Sequence, residues 1–182
     1  ADLDKVVTLV ETAMKTEAKN PKKGEEQRAK AEAALEAFND NYAARTKEKV
    51  AKQDLMATDL EKAVGIAQRE LPKDDPLTAK LNGLIDRIRK IDYKRRAAEL
   101  EKATRALEDW DVAKENTDPP KKAIALIQKA KAAIDASMAA ILKAAAEYNK
   151  LAKEAKKDLD AVKDPDVKKK LATVLEGELP KD

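Results

Sequence analysis

The chain has 182 residues, 40% of them charged and 43% hydrophobic, and its 38 Lys and Arg against 35 Asp and Glu give a net charge of +3. It has no cysteine and no histidine, which excludes disulfides, thiolate or imidazole catalysis, and zinc sites made from those residues. With one Trp, one Phe, three Tyr and four Gly, it lacks the pattern of sheet proteins, so we predict an all-α fold.

The first helix is predicted from hydrophobic residues at a spacing of four, three and four, which lines one helical face: Leu3, Val7, Val10 and Met14. It should stop at Asn20-Pro21, because proline disfavours helical geometry in the residue before it. A second helix is expected from near Gly24 to about Met56, with an inner face formed by Ala31, Leu35, Phe38 and Tyr42.

A third helix is expected to start at Thr58. Thr58 and Glu61 have the spacing of a capping box, in which a hydroxyl and a carboxylate bind the free amides at a helix start. This helix would end near Pro72, with an inner face formed by Leu60, Val64, Ala67 and Leu71.

Asp75-Pro76 is predicted to open a long helix that continues to about Asn116. One apolar seam of this helix comprises Leu77, Leu81, Leu84, Ile88 and Ile91, and a second comprises Tyr93, Ala97, Leu100, Thr104 and Leu107. The step from Ile91 to Tyr93 turns the apolar face by about 200°, since helical residues are about 100° apart. Each half would therefore be buried in a different bundle, an arrangement similar in architecture to the shared linker helices of spectrin-type arrays.

The remaining helices are predicted over residues 120–162 and 165–177. Asp164-Pro165 marks the boundary between them, because aspartate is a favoured N-cap and proline is favoured at the first helical position.

Four sequence blocks recur in the same order and indicate a duplication of residues 3–74 in residues 100–182. Glu70-Leu71-Pro72-Lys73-Asp74 is repeated at 178–182, Leu3-Asp4-Lys5 resembles 100–102, Pro21-Lys22-Lys23 is repeated at 120–122, and Tyr42 corresponds to Tyr148. We therefore predict two tandem three-helix-type bundles, residues 1–91 and 92–182, as a fragment of a longer array. The alternative is that lysine- and alanine-rich helices resemble one another through composition alone.

The densest run of positive charge is the candidate binding site: Arg87, Arg89, Lys90, Lys94, Arg95 and Arg96. Such a cluster could bind nucleic acid, anionic lipid headgroups or an acidic protein surface. The alternative, which we favour, is a solvated linker helix, because the net charge is small and no aromatic side chains accompany the arginines. Trp110 is expected to anchor a core rather than to bind a ligand.

We expect no catalytic residue, cofactor or metal, because the chain carries no phosphate-binding loop, EF-hand or nucleophile elbow. The low-charge stretch Ala132–Leu142 is shorter than the ~20 residues that a bilayer span needs, which predicts a soluble chain. The expected function is a non-catalytic spacer or scaffold whose partner is another protein or further repeats of the same chain. The alternative is a peripheral binder of anionic membrane or nucleic acid. The compartment is unknown.

Overall fold

The protein is all-α in the computed structural model, which describes residues 2–111, 114 and 116–180. Six helices follow one another in the described chain: α1 (Asp2–Glu17), α2 (Pro21–Glu70), α3 (Pro76–Arg89), α4 (Glu99–Glu108), α5 (Asp118–Asp158) and α6 (Pro165–Leu175). A short 3-10 helix, Leu159–Ala161, follows α5. The all-α prediction is confirmed.

Proline-marked boundaries lie where the sequence predicts them. Asn20 is the last residue of the connection between α1 and α2, and its Oδ1 accepts a hydrogen bond from the Lys23 amide at 3.2 Å. Asp75 caps α3 by accepting from the Leu77 amide at 2.9 Å. Asp164 caps α6 by accepting hydrogen bonds from the amides of Asp166 and Val167. Each boundary is set by side chains within three residues of it, so local chemistry is sufficient to place it.

The predicted third helix at Thr58 is wrong, because α2 continues without a break from Pro21 to Glu70. The Thr58 hydroxyl donates to the Asp54 carbonyl, one turn earlier, at 2.9 Å. A threonine inside a helix can bond back to the preceding turn in this way, so the capping-box spacing at Thr58 does not mark a helix start.

The predicted continuous linker helix is also wrong, because the chain leaves helical geometry between Lys90 and Ala98. Ile91 and Tyr93 are both buried in the same hydrophobic cluster. In an α-helix, the side chains of residues two positions apart point about 200° away from each other. In an extended chain, the side chains of residues two positions apart point to the same side. Non-helical backbone therefore lets both side chains enter one core.

The described chain packs into two units, each drawn from both halves of the sequence. Unit 1 takes in the described residues of Ala1–Arg45 and Arg95–Ser137, and unit 2 those of Thr46–Lys94 and Met138–Asp182. These boundaries differ from the predicted 1–91 and 92–182, because α2 and α5 each contribute to both units.

The core of unit 1 is formed by side chains from α1, α2, α4 and α5 and by Trp110, which is fully buried. The buried members from the helices include Leu3, Val6, Val10, Leu35, Leu100, Leu107, Ile127 and Ile134. Phe38 and Tyr42 pack against this core as a stacked pair with ring centroids 6.0 Å apart. The expected role of Trp110 as a core anchor is confirmed by its burial.

The core of unit 2 is formed by side chains from α2, α3, α5 and α6. The buried members include Leu60, Leu77, Leu81, Leu84, Ile88, Tyr93, Tyr148, Leu171 and Leu175. Lys80 on α3 pairs with Asp158 on α5 at 2.6 Å. All five residues of the predicted Leu77–Ile91 seam are buried in this cluster.

The order short helix, long helix, short helix occurs twice along the described chain, as α1 to α3 and as α4 to α6. The two Glu-Leu-Pro segments, however, lie at different places in that order. Glu70 ends α2, whereas Glu178 follows α6. The duplication stays a prediction.

Candidate functional site

The six cationic residues singled out in the sequence lie at the end of α3 and in the connection that follows. Arg87 and Arg89 belong to the last turn of α3, and Lys90 is its C-cap. Positive side chains at this end of a helix are favoured by the helix dipole, which gives these three residues a structural role in addition to any binding role. Lys94 belongs to unit 2, and Arg95 and Arg96 belong to unit 1.

Three of the six cationic side chains already have partners in the protein. Arg87 donates through Nη1 to the Gly83 carbonyl at 3.0 Å. Arg89 forms an ion pair with Glu61 of α2, and Arg96 pairs with Glu101 at 3.4 Å.

The other three cationic side chains remain available to a ligand. Lys90, Lys94 and Arg95 are exposed, and none of them forms an ion pair with an acidic residue of the described chain. Of these three, Lys90 and Lys94 belong to unit 2 and Arg95 belongs to unit 1, and the six-residue binding site stays a prediction.

A groove of about 570 Å³ lies beside these residues in unit 2. One wall is the α2 face from Gln53 to Glu61, and the other is the end of α3 with the segment from Ile91 to Lys94. Gln53 joins the walls, since its Nε2 donates to the Ile88 carbonyl at 2.6 Å and to the Ile91 carbonyl at 2.7 Å. The Ile88 carbonyl also accepts from the Ile91 amide at 3.1 Å, so Gln53 ties the end of α3 and the chain that follows it to α2.

The ionisable side chains of the groove are Asp54, Glu61, Arg89, Asp92, Tyr93 and Lys94. Burial raises the pKa of Tyr93 to about 12, and the Tyr93 hydroxyl donates to the Pro180 carbonyl at 2.7 Å. The phenol is therefore protonated at neutral pH and bound to the backbone, so it supplies neither a base nor a nucleophile. The groove also carries three carboxylates, the Arg89 guanidinium and the Lys94 ammonium group.

Acidic side chains do not form a metal site in the part of the chain that the structure describes, since no group of three or more Asp or Glu has suitable placement. The described helices also include none that is long and apolar enough to cross a bilayer.

An exposed apolar surface lies on α5 and was missed by the sequence analysis. Met138 and Leu142 are one helical turn apart, with 38% and 49% of their surfaces exposed, and Ala139 and Ala146 are exposed beside them. Leu55 on α2, which also belongs to unit 2, is 62% exposed. Both α5 residues lie in the low-charge stretch Ala132–Leu142, but low charge alone fits a buried helical face as well as an exposed one.

Comparison with protein-family models, curated proteins and solved structures found no match to this chain. The fold class therefore rests on the structure, and function has to be argued from the surface of the protein.

Proposed function

We propose that this chain is a non-catalytic structural and protein-interaction module, acting as a spacer or scaffold within a longer helical repeat protein. The proposal is supported by the way α2 and α5 are held. α2 places Leu35 in the unit 1 core and Leu60 in the unit 2 core, and α5 does the same with Ile127 and Tyr148. Each of the two long helices therefore contributes buried side chains to both cores.

The observation that carries the protein-contact part of the proposal is the exposed apolar surface of α5. Met138 and Leu142 present large apolar side chains from one helical face, flanked by alanines, on a protein whose surface is otherwise highly charged. Adjacent exposed apolar residues bordered by polar ones favour a protein contact, whereas isolated ones do not. The expected partner is another protein or another repeat of the parent chain.

The proposal includes no enzymatic activity, cofactor or small-molecule substrate. The absence of cysteine and histidine from the whole sequence supports this, because it removes the most common nucleophiles and general bases.

A photo-crosslinking experiment tests the protein-contact role. A photoreactive phenylalanine analogue at Leu142 should form one discrete adduct in an extract of the source organism, and excess unlabelled protein should compete it away. A Leu142→Lys competitor should fail, because it places a charge in the apolar contact. The matched control carries the analogue at Lys121, an exposed position of α5 in unit 1. Equal adducts from both positions, or none from Leu142, would contradict the proposal.

A second candidate function is binding of an anionic partner, and the two free cations of unit 2, Lys90 and Lys94, favour it. Replacing both by Gln should weaken binding to anionic vesicles or to a single-stranded oligonucleotide by about tenfold and reduce its salt dependence. The control replaces Lys121 and Lys122, which are also exposed, so the net charge changes equally. Similar affinities for the two variants would exclude this function.

A further inference from the structure

The chain after α6 folds back onto the unit 2 core without forming a helix. Residues 177–180 have no regular secondary structure, yet Leu179 is 2% exposed and belongs to the unit 2 cluster. Pro180 lies at the end of the described chain, and its carbonyl accepts the hydrogen bond from the Tyr93 hydroxyl at 2.7 Å.

Few interactions hold residues 177–180 against the unit 2 core, although Leu179 is buried there. Within the described residues, two hydrogen bonds tie it to the rest of unit 2, Gly177 N to Val174 O at 3.4 Å and Tyr93 Oη to Pro180 O at 2.7 Å. The other anchor is the Leu179 side chain. Segments with few buried apolar contacts and few backbone hydrogen bonds open at a lower free energy than the domain that carries them.

Tyr93 connects this segment to the groove. Its ring is buried in the same cluster as Leu179, and the residue lies in the groove wall formed by Ile91, Asp92, Tyr93 and Lys94. The wall is non-helical, so it lacks a hydrogen-bonded ladder of its own. The position of the wall therefore depends on the hydrogen bond from Gln53 to the Ile91 carbonyl at one end, and elsewhere on its buried side chains and what they bind.

We propose that residues 177–180 form a latch that opens locally, before the rest of unit 2, and that its docking through Leu179 and Tyr93 holds the 91–94 wall of the groove in place. Opening the latch frees the Tyr93 hydroxyl and loosens the wall, including the exposed cation Lys94. The groove is thus controlled by a segment that lies much later in the chain, since Tyr93 and Pro180 are 87 residues apart. The proposal is independent of what the protein binds.

The two buried tyrosines of unit 2 provide a matched test. Tyr148 is fully buried in the same cluster as Tyr93, but its hydroxyl has no hydrogen-bond partner among the described residues. Tyr93→Phe and Tyr148→Phe therefore make the same chemical change in the same core, and only the first removes the bond to the latch. Amide hydrogen exchange, read by mass spectrometry on the full chain, reports both segments at once.

Tyr93→Phe should accelerate exchange of the two hydrogen-bonded amides that report the segments, Gly177 in the latch and Lys94 in the wall, by about tenfold, with the amides of α3 and α6 unchanged. Tyr148→Phe should change neither segment. Equal acceleration across α3, α6 and the latch would overturn the proposal, because the hydroxyl would then support the whole unit. Unchanged exchange in Tyr93→Phe would overturn it as well.

Leu179→Ala removes the other anchor and tests the coupling separately. It should accelerate exchange in the latch and in residues 92–94 together. Faster exchange in the latch with an unchanged wall would show that the two move independently and would overturn the second half of the proposal.

Discussion

Trp110→Ala should lower the free energy of unfolding of unit 1 by about 4 kcal/mol, the largest effect that we expect from any single substitution in this protein. Trp110 is fully buried and is the only tryptophan in the chain. Its removal takes a large apolar surface out of the core and leaves a cavity. Urea denaturation followed by far-UV circular dichroism measures the loss.

Two controls separate core packing from other effects of this substitution. Trp110→Phe keeps an aromatic ring and removes an indole Nε1 that is buried without a hydrogen-bond partner in the described chain, so it should cost much less. Leu55→Ala alters a side chain that is 62% exposed and should change stability by less than about 0.5 kcal/mol. Equal costs for Trp110→Ala and Leu55→Ala would mean that the unit 1 core is misidentified.

Gly24→Ala should destabilise the protein by about 2 kcal/mol, although alanine favours a helix more than glycine does. A Cβ at position 24 would lie 2.8 Å from the Cα of Glu17 and 2.9 Å from its Cβ. The first of these atoms is backbone at the end of α1, so no side-chain rotation relieves the contact. α1 would have to move away from α2, which loosens the unit 1 core.

Gly65→Ala is the matched control for this substitution. Gly65 also lies in α2, but a Cβ there meets nothing within 4 Å. Without a clash the helix preference of alanine should prevail and stabilise the protein by up to about 1 kcal/mol. Thermal unfolding of the two variants should therefore shift in opposite directions. Equal shifts would contradict the close approach of α1 and α2 at Gly24.

Helix boundaries were predictable from sequence where the signal is local. Asn20-Pro21, Asp75-Pro76 and Asp164-Pro165 each restrict the backbone within a few residues, and helices begin at or beside all three. The break after Arg89 has no such signal. It depends on two long-range features, the entry of Ile91 and Tyr93 into one core and the hydrogen bonds from Gln53 to carbonyls 35 and 38 residues away.

The sequence predicts which cationic residues make up the candidate site, but it does not predict which of their side chains are left unpaired by the fold. Charge alone located the cationic run, because six basic residues within ten positions stand out in any sequence. Which of them are free could not be read from sequence, since Arg89 is paired with Glu61, 28 residues earlier in the chain. Met138 and Leu142 were overlooked for a related reason. Their spacing fits a buried helical face as well as an exposed one, and only packing distinguishes the two.

The measurement that tests the account most directly is amide hydrogen exchange on Trp110→Ala, because the spacer proposal depends on two separately closed cores. We expect the amides of α1 and α4, which belong to unit 1, to lose protection. The amides of α3 and α6, which belong to unit 2, should exchange as in the unaltered protein. Loss of protection in α3 and α6 to the same extent as in α1 and α4 would show a single cooperative core and contradict the account.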